Sequence, residues 1–123
     1  MLATSEIVGF IPTTDAKRAK IFYCDVLGLE FVEDNGFALI LRAGDRMIRV
    51  TTVAEFSPFP FTLLGWSVAD IAGQVKEFGA SGVVFERYPF LEQDGLCVWT
   101  APGGAKVAWF KDPDGNLLSL TQD

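Results

Sequence analysis

The 123-residue chain contains no histidine. That absence removes His-based catalytic triads, histidine general bases and most zinc or non-haem iron sites, because imidazole is the usual proton shuttle near neutral pH and the commonest metal ligand. Cysteine is nearly as scarce. Cys24 and Cys97 stand far apart, in no CxxC or metal-binding spacing, and free thiols are expected. A nucleophilic Cys97 would need a basic partner such as histidine to generate its thiolate. Positive charge is also thin: 10 basic against 16 acidic side chains leave a net charge of −6, and the longest basic cluster is Lys17-Arg18-Ala19-Lys20. A phosphate-backbone binder needs a basic face, so nucleic acid is not an expected partner. No apolar run approaches the ~18 residues of a membrane-spanning helix. The start, Met1-Leu2-Ala3-Thr4-Ser5-Glu6, lacks the basic and apolar stretches of a signal peptide. The expectation is a cytoplasmic protein with no membrane partner.

What is present is apolar. Hydrophobic residues make up 50% of the chain and charged residues 21%. That balance folds as one globular domain or two half-domains, with apolar surface left for a subunit face or a cavity.

Patterning supplies the elements. Ile7–Ile11 is a short apolar run ending at Pro12, consistent with a buried strand. Thr13-Thr14-Asp15 offers helix-start chemistry, and Ala19, Phe22, Tyr23, Val26 and Leu27 follow on one helical face, closed by Gly28. Leu29–Glu33, Phe37–Arg42 and Met47–Val53 read as strands, separated by Asp34-Asn35-Gly36 and Ala43-Gly44-Asp45. Glu55–Phe61, with Pro58 and Pro60, reads as a connector. The order then starts again. Thr62–Val68 is a strand, and Asp70 caps a helix burying Ile71, Val75 and Phe78 that ends at Gly79 or Gly82. Val83–Glu86, Leu96–Thr100, Ala105–Phe110 and Leu117–Thr121 are strands, with the turn Asp112-Pro113-Asp114-Gly115-Asn116 between the last two.

The recurrence is the main organisational feature. Asp15 and Asp70 each open a helix after a strand, Phe22 and Phe78 hold similar places on the two helices, and Gly28-Leu29 and Gly82-Val83 each lead from helix to strand. The expected fold is α+β: a βαβββ module over residues 1–55, a linker over 56–61 and a second βαβββ module over 62–123, together one domain.

Phe22-Tyr23-x-Asp25-x-Leu27-Gly28-Leu29 and Asp112-Pro113-Asp114-Gly115-Asn116-Leu117-Leu118 resemble the two signatures of the vicinal oxygen chelate superfamily, which includes glyoxalase I, extradiol dioxygenases, fosfomycin-resistance enzymes and bleomycin-resistance proteins. The resemblance spans nearly the whole chain. It implies two modules whose curved mixed sheet encloses a central cup, where four residues of the family's enzymes bind a divalent metal. The matching positions here are Val8, Arg49, Leu64 and Ser119. Valine and leucine have no donor atom, arginine has no lone pair to offer, and serine alone is a poor divalent ligand. No metal and no cofactor are therefore expected. Glyoxalase, dioxygenase and fosfomycin-transferase chemistry, which need the metal as Lewis acid or nucleophile source, are not expected either.

Strand alternation adds neighbours to the cup. Phe10 joins Val8; Met47 and Thr51 join Arg49; Trp66 and Val68 join Leu64; Leu117 and Thr121 join Ser119. The implied lining is apolar and aromatic around one cation, suited to a planar or apolar ligand with an anionic or carbonyl group near Arg49. Arg49 is either held for such a group or paired with a carboxylate such as Glu6. Trp66 is either ligand wall or packing; Trp99, Trp109 and Tyr23 are assigned to the core. Asp112–Asn116 is assigned to turn geometry, and Pro89–Gly95 is a mobile flap or an ordinary exposed loop.

The leading expectation is a metal-independent small-molecule-binding protein resembling the bleomycin-resistance branch, sequestering a drug or metabolite as a homodimer with no catalytic residue. Its ligand site would comprise Arg49, Trp66, Phe10, Met47, Ser119, Val8 and Leu64. Two alternatives are a metal-free lyase or isomerase using Arg49 as electrophile and a carboxylate such as Glu6 or a buried Asp or Glu as base, and a non-catalytic partner module.

Overall fold

The structure, a computed structural model, describes all 123 residues, Met1–Asp123. The chain divides into two compact units, Met1–Ser57 and Pro58–Asp123. In the first unit, β1 (Val8–Thr13) leads into α1 (Ala16–Lys20), followed by a π-helical stretch over Ile21–Val26 and by β2 (Glu30–Asp34), β3 (Ala38–Ala43) and β4 (Arg46–Thr52). The sheet order is β1-β4-β3-β2, with β1 parallel to β4 and the other pairs antiparallel. A parallel pair requires a crossover, and α1 with its π-helical extension provides it.

The helix forms where its start chemistry lies. The Asp15 carboxylate accepts a hydrogen bond from the Arg18 N–H at 3.1 Å, satisfying one of the orphan donors of the first turn. The chain leaves the helical stretch through Gly28, whose φ of +83° is in the left-handed region that favours glycine. Ile11, Leu39, Leu41, Ile48 and Val50 alternate onto the sheet face contacted by α1, and all are buried, as are Ala19 and Tyr23. Each such aliphatic side chain contributes roughly 1.5–3 kcal/mol through its removal from water.

The second unit repeats the topology. β5 (Leu64–Ser67), α2 (Ile71–Ala80), β6 (Trp99–Thr100), β7 (Lys106–Lys111) and β8 (Leu117–Gln122) form a sheet of order β5-β8-β7-β6. The Asp70 carboxylate caps α2 by accepting from the Gly73 N–H at 3.1 Å, and Ile71, Val75 and Phe78 are the buried side of that helix. Both units are thus α+β, each with a four-stranded mixed sheet.

Two expected strands are reduced. Val83–Glu86 forms no strand; it touches the sheet through a single bridge, Phe85 to Phe110, and a hydrogen bond from the Glu86 N–H to the Trp109 carbonyl. Leu96–Thr100 shrinks to Trp99–Thr100, because Cys97 has a φ of +66° and cannot extend the strand. Both cysteines are free thiols. No helix is long and apolar enough to cross a membrane.

Candidate functional site

Strand register decides which side chains share a face. In the first unit Val8 pairs with Met47, and Phe10 with Arg49. Ile40 and Arg42 lie opposite Arg49 and Met47 on the other side of β4. These residues occupy the sheet face away from α1. Val8, Phe10, Met47 and Arg49 therefore come together as expected, with Phe10 61% exposed and Arg49 also exposed. The Arg49 side chain forms no ion pair or hydrogen bond. Glu6, in the exposed segment before β1, does not pair with it. The guanidinium stands unneutralised on an apolar strand pair, a ready contact for a ligand carboxylate or carbonyl.

In the second unit the expected grouping breaks. Leu64 pairs with Leu118 and Trp66 with Leu120, whereas Ser119 pairs with Gly65. Leu64 and Trp66 consequently face the helix-covered side. There Trp66 stacks on buried Phe110 at 6.4 Å, and Phe110 in turn meets Phe78 of α2 at 6.1 Å. Grouping Leu64 and Trp66 with Ser119 is corrected by this register: neighbours along a strand point to opposite faces, so an offset of one residue reverses them. Val68 follows Leu64 and Trp66 by the same alternation.

The face that Ser119 does occupy carries a different tryptophan. Trp109 is its cross-strand partner on β7. Trp109 meets Trp99 at 6.0 Å and the Tyr88 ring edge-on at 5.6 Å, and Tyr88 meets Phe90 at 5.4 Å. Trp99 and Trp109 are half-buried rather than sealed in the core. A sequence signal for this row exists. The Asp112–Asn116 turn joins β7 to β8, and counting outward from it sets Trp109 opposite Ser119.

The segment carrying Tyr88 and Phe90 is built by side chains. The Gln93 amide donates to the Glu86 and Cys97 carbonyls, both at 2.9 Å, and accepts from the Tyr88 N–H at 2.7 Å. The Asp94 carboxylate accepts from the Leu96 and Val98 N–H groups at 2.8 and 3.0 Å. Pro89–Gly95 is therefore a pinned loop rather than a flap. Burial, reinforced by Glu86 and opposed by Lys111, raises the Tyr88 hydroxyl pKa above its ordinary value. Burial also raises the Cys24 thiol, with Asp25 adding and Lys20 opposing; a raised thiol pKa makes a poorer nucleophile at neutral pH.

The Asp112–Asn116 turn is occupied with its own geometry. One Asp112 oxygen accepts from the Asp114 and Asn116 N–H groups, both at 2.9 Å, the other from the Asn116 side-chain amide at 2.8 Å. The residues at the family's metal positions do not fit a divalent ion. Val8 has no donor, Arg49 is a cation, Leu64 faces the helix, and Gly65 opposite Ser119 has no side chain. No three carboxylate or thiol side chains gather where an ion could sit.

A family model described as the Glyoxalase/Bleomycin resistance protein/Dioxygenase superfamily matches residues 5–120. Similar solved structures include a member of that superfamily from Sphaerobacter thermophilus, at 21% identity and a TM-score of 0.78 with 100% of each chain covered. A bleomycin resistance determinant encoded on transposon Tn5 is 22% identical with a TM-score of 0.72, covering 98% of each chain. Lactoylglutathione lyase from Agrobacterium tumefaciens is 19% identical with a TM-score of 0.73, covering 97% of this chain and 93% of the other. No curated protein sequence matches. At these identities the structural likeness speaks for fold alone.

Proposed function

The chain belongs to the Glyoxalase/Bleomycin resistance protein/Dioxygenase superfamily, and from that premise we propose that it is a metal-independent small-molecule-binding protein, acting in the cytoplasm as a homodimer that sequesters its ligand unchanged. The observation that carries this reading is Arg49: an exposed, unpaired guanidinium beside Phe10 and Met47, at a position where the family's enzymes place a metal ligand. A cation there repels a divalent ion and attracts an anionic or carbonyl group of a flat ligand. Likeness to the bleomycin resistance determinant supports the sequestering role by analogy. Glu6, a base candidate in the lyase or isomerase reading, forms no ion pair with Arg49.

The test is a titration of intrinsic tryptophan fluorescence with a panel of aromatic acids and carbonyl compounds, alongside elemental analysis of protein purified without chelator. Saturable binding with recovery of unaltered ligand is the expected result. Near-stoichiometric nickel, zinc, iron or manganese, lost on mutating Ser119 or the Arg49 strand, would overturn the metal-free reading; turnover of the bound compound would overturn sequestration. Light scattering that gives 13.5 kDa at every dilution would overturn the homodimer.

A further inference from the structure

We propose that Asn35 is a site of spontaneous covalent modification: its side chain closes on the Gly36 nitrogen, loses ammonia and opens to isoaspartate, which loosens the edge strand β2 at its turn. This goes beyond the Arg49 reading and is independent of it, because no ligand takes part.

The chain has two asparagines, Asn35 and Asn116, and the fold treats them oppositely. Asn116 is 3% exposed, precedes buried Leu117, and donates its side-chain N–H to Asp112 at 2.8 Å. Asn35 precedes a glycine, and both lie exposed in the turn between β2 and β3. Gly36 has a φ of +85°, and nothing lies within 4 Å of the place its Cβ would take. No side chain from elsewhere in the chain crowds that nitrogen.

Hydrogen bonds prepare both reacting groups. The Asn35 side-chain oxygen accepts from the Phe37 N–H at 3.0 Å and from the Ala38 N–H at 2.9 Å. These donors face the oxygen on which negative charge develops when the side-chain carbon is attacked. The Gly36 N–H donates to the Asp34 carboxylate at 2.9 Å, which takes up the proton as the nitrogen attacks. The Gly36 nitrogen bonds to the Asn35 Cγ, the Cγ–Nδ2 bond breaks, and the proton leaves with the amide nitrogen as ammonia. Water then opens the succinimide ring. Opening at the main-chain carbonyl leaves a free α-carboxylate and routes the backbone through Cγ, which is isoaspartate.

The consequence follows from how β2 is held. It is an edge of its sheet, all five of its residues are exposed, and its ladder with β3 is interrupted by a bulge between Phe31 and Glu33. With so little burial, the turn fixes the register. Asn35 organises that turn, its own N–H donating to the Ala38 carbonyl at 3.2 Å. Isoaspartate moves the pivot oxygen into the main chain, adds a methylene to the turn and sets a new carboxylate beside Asp34. β3 retains its pairing with β4 and its buried Leu39 and Leu41, so the rest of the sheet stands.

The experiment incubates the folded full chain at neutral pH and physiological temperature over weeks. Intact mass and methyl transfer by protein isoaspartyl methyltransferase are read before any digestion, and peptide mapping then locates the label. The expected result is the mass increase of an amide-to-acid exchange, with label at residue 35 and none at Asn116. Asn35→Gln, whose longer side chain closes a larger ring far more slowly, should abolish both signals. Asp34→Ser keeps a turn acceptor without the carboxylate and should slow conversion by about 10-fold or more. In the purified isoaspartate form, the amides of β2, Phe37 and Ala38 should exchange with solvent about 10-fold faster, with those of β4 unmoved. Asn35→Asp carries the charge on an unaltered main chain and should exchange like the parent. No isoaspartate at residue 35, equal labelling at Asn116, a rate indifferent to Asp34→Ser, or the same faster exchange in Asn35→Asp would overturn the proposal.

Discussion

Gly65 and Ser119 stand opposite each other on β5 and β8, so close that a Cβ at residue 65 would lie 2.5 Å from the Ser119 hydroxyl oxygen. Relief of glycine's backbone entropy favours alanine there by roughly 0.5–1 kcal/mol, but overpacking costs roughly 1–3 kcal/mol. Gly65→Ala is expected to lower the unfolding free energy by about 1 kcal/mol in urea. In a Ser119→Ala background the same change should be neutral or stabilising, because the next contact is the Ser119 backbone oxygen at 3.4 Å. An equal loss in both backgrounds would show that the hydroxyl is not the obstacle.

Gln93 substitutes for a missing strand by bonding three backbone groups of its loop. Gln93→Ala should cost about 1–3 kcal/mol and speed hydrogen exchange at the Tyr88 amide, since the partners lose both donor and acceptor. Gln93→Glu places a carboxylate against the Glu86 and Cys97 carbonyls, which raises its folded-state pKa above the ordinary glutamate value. Its stability should be greatest below about pH 4.3 and fall as pH rises through the raised pKa. A pH-independent penalty would refute that geometry.

Arg49→Met should leave the melting temperature nearly unchanged, because the guanidinium is exposed and unpaired. Affinity for an anionic ligand found by fluorescence should fall by about 10- to 150-fold, the loss of one charge-assisted hydrogen bond. A melting point that moves with unchanged affinity would make the residue structural.

Tyr88 titrates late, held neutral by burial first and by Glu86 second. Its folded-state pKa lies above the unfolded value, so its contribution to stability is intact below about pH 10 and is lost as pH rises through the folded value. Absorbance titration should show a delayed phenolate that Tyr88→Phe removes, together with part of the alkaline destabilisation. A tyrosine titrating at the unfolded value in its place would contradict the burial.

Local chemistry was legible without the structure. Asp15 and Asp70 cap helices because a carboxylate next to an orphan N–H is a short-range signal. Asp34-Asn35-Gly36 turns because Gly36 adopts a φ of +85° and both side chains bond nearby amides. The resemblance put Val8 and Arg49 in one cup and alternation along each strand added Phe10 and Met47; the β1–β4 pairing that brings the four together is a feature of the structure. The strand expected over Val83–Glu86 failed because its apolar alternation is shared by a segment whose hydrogen bonds go to the Gln93 side chain and to only one point of β7.

The sequence by itself determined the repeated α+β modules, the helix caps, the turns and the poverty of metal donors, all of which depend on residue type and on neighbours a few positions away. Only the tertiary structure decided which tryptophans share the Ser119 face. Leu64 and Trp66 are separated from Ser119 by more than fifty residues of chain, and their facing depends on a pairing register that no local interaction sets. Because strand side chains alternate with period two, that one-residue choice moved Trp66 under the helix and left Trp109 beside the serine.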